Sequence, residues 1–427
     1  MTPPAATVVL LYQRTSLPWI FESAERAGVR LVLVPRPDEE PPPEGLPPAV
    51  TEVLPLDVER DRAGALEALR RRHEAEPFDG VLTLYDPLVP FAARAAETLG
   101  LPGIGYDTAL GAQDKRIMRQ RLAAAGLNTP RFVSLDGPGA LAEAARLRYP
   151  VVVKPARGYS SFGVVRADTP DALGPLAAEV SGYCRERLDD AGSLLVEEYL
   201  DGPEYAVESL AHRGRVRVLT IGYKGRPEGP YFEESVYRAP APLPAAVQEA
   251  VRREVTAAHA ALGITDGPTH TELRLCDGTP YLLEMGARIG GSGVSHHIVR
   301  HVTGVDLAAE ALRIAAGLAP ESFGPGPSGE AEGLARATGA AGNYIVPCGG
   351  SGRIAAVRGL DAVRADPRVD HVVQMLFPGD VVRPYPDFTG YPAFVLSHHG
   401  SAADGEEFHR ALARDIRIDY APEEAVR

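Results

Sequence analysis

Cysteine is scarce in this chain, and its scarcity is the first constraint. Cys184, Cys276 and Cys348 are the only three in 427 residues. They are far apart, they form no CxxC, and their number is odd. That excludes a disulfide framework and a cysteine-rich zinc site, and it predicts a reducing cytoplasm. No apolar run reaches the roughly 18 residues that a membrane-crossing helix needs, so no membrane partner is expected. Positive charge is also short, with 44 Lys and Arg against 57 Asp and Glu, a net charge of −13. Binding nucleic acid needs a basic surface that releases counterions, so nucleic acid is not expected as a partner. The opening MTPPAATVVLLYQRT has no basic leader before its short apolar run, which reads as a first β-strand rather than a signal peptide. With 45% hydrophobic residues, this length holds apolar material for roughly two to four subdomains.

What the chain does have is a strand–loop–strand, VVVKPARGYSSFGVVRA (Val151–Ala167). Lys154 ends an apolar strand and points at a loop of Gly158, Ser160, Ser161 and Gly163. Glycine lets the backbone come close to a ligand, and loop amides and hydroxyls can bind phosphate oxygens. After Gly163 the sequence returns to a strand, Val164-Val165-Arg166. A P-loop would run straight into a helix and end in Gly-Lys-Ser/Thr. The segment therefore reads as a β-hairpin flap closing over phosphates, with an ordinary surface hairpin as the alternative. Downstream, LLVEEYLDGPEYAVE (Leu194–Glu208) is apolar and then acidic. The strand end Glu197-Glu198-Tyr199-Leu200 can offer backbone donors and acceptors to an adenine edge. Glu204 sits where a carboxylate could accept bonds from ribose hydroxyls, with Glu208 as its competitor.

The third element is THTELRLCDGTPYLLEMGARIGGSG (Thr269–Gly293), two strands with a turn at Asp277-Gly278. Glu272 and Glu284 lie one in each strand. A two-residue loop would put them on opposite faces. An odd-length loop, Cys276–Gly278 with Gly278 left-handed, would put them on one face. Two carboxylates on one face repel each other, and a divalent cation between them removes the penalty. Oxygen ligands beside a nucleotide phosphate suit Mg²⁺. Arg288 follows Gly286, which leaves room, and can neutralise a transferred phosphate or hold a substrate carboxylate.

In this order these residues resemble the ATP-grasp superfamily, over roughly residues 113 to 320. GAQDKRIMRQRLAAAGLNTPRFV (Gly111–Val133) is similar to the family's lead-in segment. The resemblance implies an α/β (α+β) ATP-grasp fold that uses ATP and Mg²⁺, with Mn²⁺ able to substitute. By it, Lys115 and Lys154 are the two nucleotide lysines, and Ser160 and Ser161 belong to the flap. Glu197, Glu198, Tyr199 and Leu200 frame adenine, Glu204 takes the ribose, and Glu272 and Glu284 bind the metal. Many members read Glu-Ile-Asn-x-Arg at the second metal strand. Here Glu284-Met285-Gly286-Ala287-Arg288 puts a glycine where the Asn would bind a second ion. A similar small residue occurs in bacterial L-amino acid ligases, which the tail also resembles. Those ligases carry a glutamate and then a histidine within GPYFEESVYRAP (Gly229–Pro240). Glu234 matches the glutamate, but Tyr237 stands in place of the histidine.

Three parts follow: a pre-ATP-grasp α/β domain (1–112), the nucleotide-binding domain (113–325, flap subdomain about 130–198) and a ligase-type tail (326–427). In the first, Thr7–Tyr12, Val29–Val34 and Gly80–Leu84 read as parallel strands, and Phe21–Ala27 and Pro90–Leu99 as helices. Tyr85 and Asp86 follow a strand end, where ligand crevices form, though a turn and helix cap explains them equally. Further helices are expected at 115–125, 171–188, 248–262, 306–316 and, short, 363–367. His296 and His297 read either as packing or as substrate contacts, and His270 shares a strand face with Glu272. By resemblance the reaction is ligation of a carboxylate to an amine through an acylphosphate, with Arg288, Lys154 and Glu234 catalytic. Both substrates are small molecules, and a homodimer is implied. The rivals are biotin-carboxylase-like chemistry and a non-catalytic ATP-binding regulator.

Overall fold

Thr7–Leu11 is buried at every position and apolar from Val8 on, because it is covered on both sides. It lies inside a parallel sheet in the order Val50–Val53, Arg30–Val34, Thr7–Leu11, Gly80–Thr83. Val8 and Leu10 face Phe21 and the distant Leu307 and Leu312, while Val9 and Leu11 face Leu69 and Phe91. A sheet buried on both faces reads as a continuous apolar run rather than an alternating one. The chain is a computed structural model described at residues 6–13, 19–37, 45–137, 139–158, 161–187, 192–227, 231–232, 235–324, 333–383 and 390–421. Because helix Leu307–Ala315 shares the first core, this layer is welded to the middle of the molecule. Among the described residues no helix is long and apolar enough to cross a membrane.

The flap subdomain is an antiparallel sheet ordered Phe132–Ser134, Leu194–Glu198, Val151–Pro155, Val165–Ala167. Helix Pro170–Arg187 covers one face through Leu173, Val180 and Cys184. Thr169 caps its start, with Oγ1 accepting from the Ala172 amide at 3.4 Å.

An eight-stranded antiparallel sheet forms the centre. Its order is Thr279–Gly286, Gly267–Cys276, Glu204–His212, Arg215–Gly225, Val236–Ala239, Ala340–Ile345, Ala393–His399, Val369–Gln374. Helix Ala245–Leu262 packs Val251, Val255 and Leu262 against Leu273 and Leu282. The sheet runs straight through the boundary expected at 325, because Val236–Ala239 pairs with Ala340–Ile345. The tail therefore supplies three of the eight strands of the central wall. A separate small sheet in the tail joins Val381–Val382, Gly352–Arg358 and Arg417–Tyr420.

Most expected helices appear with their ends shifted by a few residues. The short one expected at 363–367 lies at Leu360–Arg364. It starts after Gly359 (φ 89°), while Pro367 cannot continue a helix. Helices Arg62–Ala75 and Ala402–Asp415 were not anticipated. The first buries only Ala65 and Leu69, so its apolar stripe is too thin to read.

Candidate active site

The flap, the central sheet, the first layer and the tail enclose a cleft of about 540 Å³. Its floor is the hairpin of Gly267–Cys276 and Thr279–Gly286. The turn proves to be the two-residue one, with Asp277 (φ 50°) and Gly278 (φ 77°) both left-handed and Cys276 paired to Thr279. That alone would separate the two glutamates. A bulge restores them: Leu273 pairs with Leu282 but Glu272 pairs with Glu284, leaving Leu283 as the extra residue. The parity change comes from the strand and not from an odd loop.

Each carboxylate is held by a lysine. Glu284 lies 3.1 Å from Lys115 Nζ, which also donates to the Gly158 carbonyl of the flap loop at 2.7 Å. Glu272 lies 2.5 Å from Lys224 Nζ. Burial alone would raise the Glu272 carboxyl, but Lys224 and His270 hold it well below the usual range. Two opposed carboxylates with oxygen donors only fit a hard cation such as Mg²⁺, and the lysines provide positive charge there.

Lys154 and Glu197 form a buried pair at 2.6 Å, completed by the fully buried Arg119 on the other carboxylate oxygen. Burial pushes the Lys154 ammonium down to about 8 against the pull of Glu197. The Glu197 side chain faces Lys154, and Glu198 turns away to accept from the Arg148 amide at 3.0 Å. Tyr199 packs on Phe232 with ring centroids 6.0 Å apart, under the Arg166 and Arg274 guanidiniums. Only main-chain roles toward adenine are left to this trio. The Glu198 and Tyr199 amides already bond the Arg131 and Pro150 carbonyls, whereas the Leu200 amide has no partner among the described residues. Arg119 had no motif to mark it, since its importance comes from meeting Glu197 across 78 residues. Arg119→Met would leave one Glu197 oxygen and the Leu283 carbonyl without their donor in a buried site. It is expected to lower unfolding free energy by about 3–5 kcal/mol, read from denaturant titration.

Glu204 accepts from Arg274 at 3.3 Å and faces Lys224 at 3.3 Å. Lys224, invisible to the sequence reading, thus links the Glu204 and Glu272 carboxylates. Ser161 lines the cleft mouth with a left-handed backbone (φ 56°). Ser160 and Glu234 lie outside the described residues.

Beyond Glu272 the floor continues as a buried network. Glu208 accepts from the Tyr237 hydroxyl at 2.6 Å and pairs with His270 Nδ1 at 2.7 Å. His270 Nε2 lies 3.6 Å from Glu272. Burial pushes His270 down, but the Glu208 and Glu272 carboxylates more than reverse it and lift it to about 9. Glu208 is therefore a partner of His270 and Tyr237, not a competitor for Glu204. Two glycines make room for this. A Cβ on Gly222 would sit 2.1 Å from the Tyr237 ring, and one on Gly290 2.6 Å from His270 Nδ1.

Arg288 donates to Asp86 Oδ1 at 2.5 Å, so the residue after the parallel strand does reach the site. A Cβ at Gly286 would lie 3.6 Å from that same Oδ1, an ordinary contact. The space beside Gly286 is thus bordered by Asp86. His296 has the packing role: its ring stacks on Trp19 at 4.9 Å, and burial pushes it down to about 4. His297 points away, to the Ser397 carbonyl. The tail adds Asn343, Met375, Phe394 and Leu396 to the cleft wall, and no sequence motif marked them.

Residues 21–103 match the ATP-grasp N-terminal domain, 147–296 the ATP-grasp domain, and 345–421 the L-amino acid ligase C-terminal domain 2. The crystal structure of an L-amino acid ligase from Bacillus licheniformis is similar with a TM-score of 0.87 at 41% identity, covering 99% of this chain and 100% of that one. Carnosine synthase 1 of Gallus gallus is 28% identical over 324 residues, 71% of this chain and 34% of its own. A D-alanine--D-alanine ligase of Ralstonia pickettii (strain 12J) is 32% identical over 210 residues, 47% of this chain and 61% of its own. The chain thus spans less than two thirds of either curated relative.

Proposed function

The chain belongs to the L-amino acid ligases of the ATP-grasp superfamily, and from that premise we propose that it joins two amino-acid-like substrates through an amide bond at the expense of ATP. The observation that carries the reading is the cleft itself: two opposed carboxylates, three lysines and an arginine around one space. Two anions, a nucleotide phosphate and a substrate carboxylate, must meet there, and that requires fixed positive charge.

In the proposed reaction a carboxylate oxygen attacks the γ-phosphorus, and the bond to the bridging oxygen breaks to release ADP. The amine nitrogen then attacks the acyl carbon and gives up a proton, and phosphate leaves with the C–O electron pair. Lys154 and Lys115 hold the phosphates, exchanging Glu197 and Glu284 for phosphate oxygens. Arg288 exchanges Asp86 for the transferred phosphoryl group. Glu272 and Glu284 would hold Mg²⁺, or Mn²⁺ in its place, which would supply charge neutralisation on the phosphates. The Leu200 amide takes the adenine edge and Glu204 the ribose. Glu234 is assigned to the amine by its sequence position. The flap loop, with Ser160 and Ser161, excludes water from the acylphosphate. The substrates are small molecules and the compartment is the cytoplasm, in keeping with three cysteines that form no disulfide.

The tail side of the cleft is apolar, through Met375, Phe394 and Leu396. A substrate with an apolar side chain fits that wall. Phe394→Ala is expected to raise KM for large apolar amino acids by about tenfold, with roughly 1–3 kcal/mol lost per unfilled contact, and to spare glycine. The chemistry is tested by hydroxylamine trapping. With ATP, Mg²⁺ and the acyl donor alone, an acylphosphate yields the hydroxamate and ADP. Hydroxamate formed with AMP instead would overturn the phosphoryl-transfer route.

A further inference from the structure

The unassigned His297 sits in a second constellation, away from the cleft. Helix Val294–Thr303 presents His297 and His301, one turn apart, to Asp370 on the edge strand Val369–Gln374. His297 Nε2 lies 3.8 Å and His301 Nε2 3.6 Å from Asp370 Oδ2. One donor atom from each of the three lies within 4.8 Å of the others. These separations are too long for hydrogen bonds. They are close to the edge of about 3.3–3.4 Å that bonds of ≈ 2.0–2.1 Å give around a tetrahedral ion.

One neighbour, His398, prepares the same carboxylate. His398 Nδ1 bonds both Asp370 oxygens, at 2.9 and 3.1 Å. The His398 ring stacks on His301 with centroids 5.1 Å apart and an interplanar angle of 9°. His297 Nε2, the same nitrogen, lies 3.2 Å from the Ser397 carbonyl oxygen, a contact that an ion would replace, the ring proton moving to Nδ1. The ion pairs of Asp370 among the described residues are all to histidines, with no lysine or arginine. A half-buried carboxylate ringed by imidazoles, with a His-x₃-His pair on one helix face, matches the ligand preference of late first-row divalent ions.

We propose that His297, His301 and Asp370 bind a Zn²⁺-class ion, with His398 orienting Asp370 and water in the fourth position. The ion links two elements that both reach the cleft. Ser295 of the helix and Val373 of the strand each line it. The metal would therefore fix the tail wall against the loop that carries Arg288, as a structural clamp separate from the Glu272–Glu284 pair.

The test uses untagged, metal-stripped full-length protein titrated with Co²⁺ and read by visible absorption. One equivalent per chain with an intense tetrahedral d–d band is expected. His301→Ala and the near-isosteric Asp370→Asn abolish the band, while Glu272→Gln keeps it. His398→Ala keeps the band but weakens Zn²⁺ in a chelator competition by about 10–100-fold. Circular dichroism of the metal-free variants reports their folding, and if His301→Ala is unfolded Asp370→Asn carries the test. Absence of the band in wild type, its survival in Asp370→Asn, or its loss in Glu272→Gln would each overturn the proposal.

Discussion

Arg288→Ala is expected to lower the rate of ADP formation by about 10³-fold and to leave KM for ATP nearly unchanged. Arg288 is half-buried at the end of the cleft beside Asp86, and desolvation works against its charge while Asp86 holds it. Its guanidinium is thus already dehydrated and aimed, so it reorganises little when charge develops on the transferred phosphoryl group. Removing one such donor costs about 10²–10³ in kcat, and arginines on phosphoryl groups reach about 10³–10⁵. Arg288→Lys does not restore the rate, because an ammonium lacks the planar fork. Steady-state kinetics with ATP varied separates the two parameters. A variant that raised KM for ATP with kcat intact would place Arg288 in ground-state binding instead.

Glu272→Gln has the second large effect. The amide cannot replace the anionic oxygen of a metal ligand, and it also takes away the charge that faces Lys224 and His270. Turnover is expected to fall by about 10²–10³-fold, and the Mg²⁺ concentration for half-maximal rate should rise. Stability of the metal-free protein should fall much less, because Lys224 keeps Glu204 and His270 keeps Glu208. Glu284→Gln should move the Mg²⁺ midpoint in the same direction, with Lys115 keeping the Gly158 carbonyl. Rate against Mg²⁺, measured with melting in EDTA, reads both. Equal loss of stability and activity would mean that Glu272 is a packing residue.

Local chemistry made the flap legible: a lysine at a strand end, a Gly/Ser loop and a returning strand are contiguous in sequence. The two glutamates were legible as a pair, but the reason they face each other was not, since the bulge at Leu283 leaves no local signal. What the sequence could not show was built from long-range contacts. Arg119 reaches Glu197, Lys224 reaches Glu272, and Arg288 reaches Asp86 across 202 residues. The acidic hinge was legible only in part, for a related reason. Its backbone was offered to an adenine edge, but nothing in the sequence marked its carboxylates as serving Lys154, Arg119 and Arg148. The tail wall was missed because Phe394 and Leu396 look like any strand residues until the sheet continues past residue 325.

The most direct test of the ligase reading is product analysis with Mg²⁺-ATP and paired L-amino acids, separating ADP from AMP and weighing the organic product. The expected result is ADP and phosphate formed in step with a dipeptide, only with particular pairs, and lost in Lys154→Ala and Glu272→Ala. AMP and pyrophosphate with the same dipeptide would contradict phosphoryl transfer, and ADP formed without any amide product would contradict ligation.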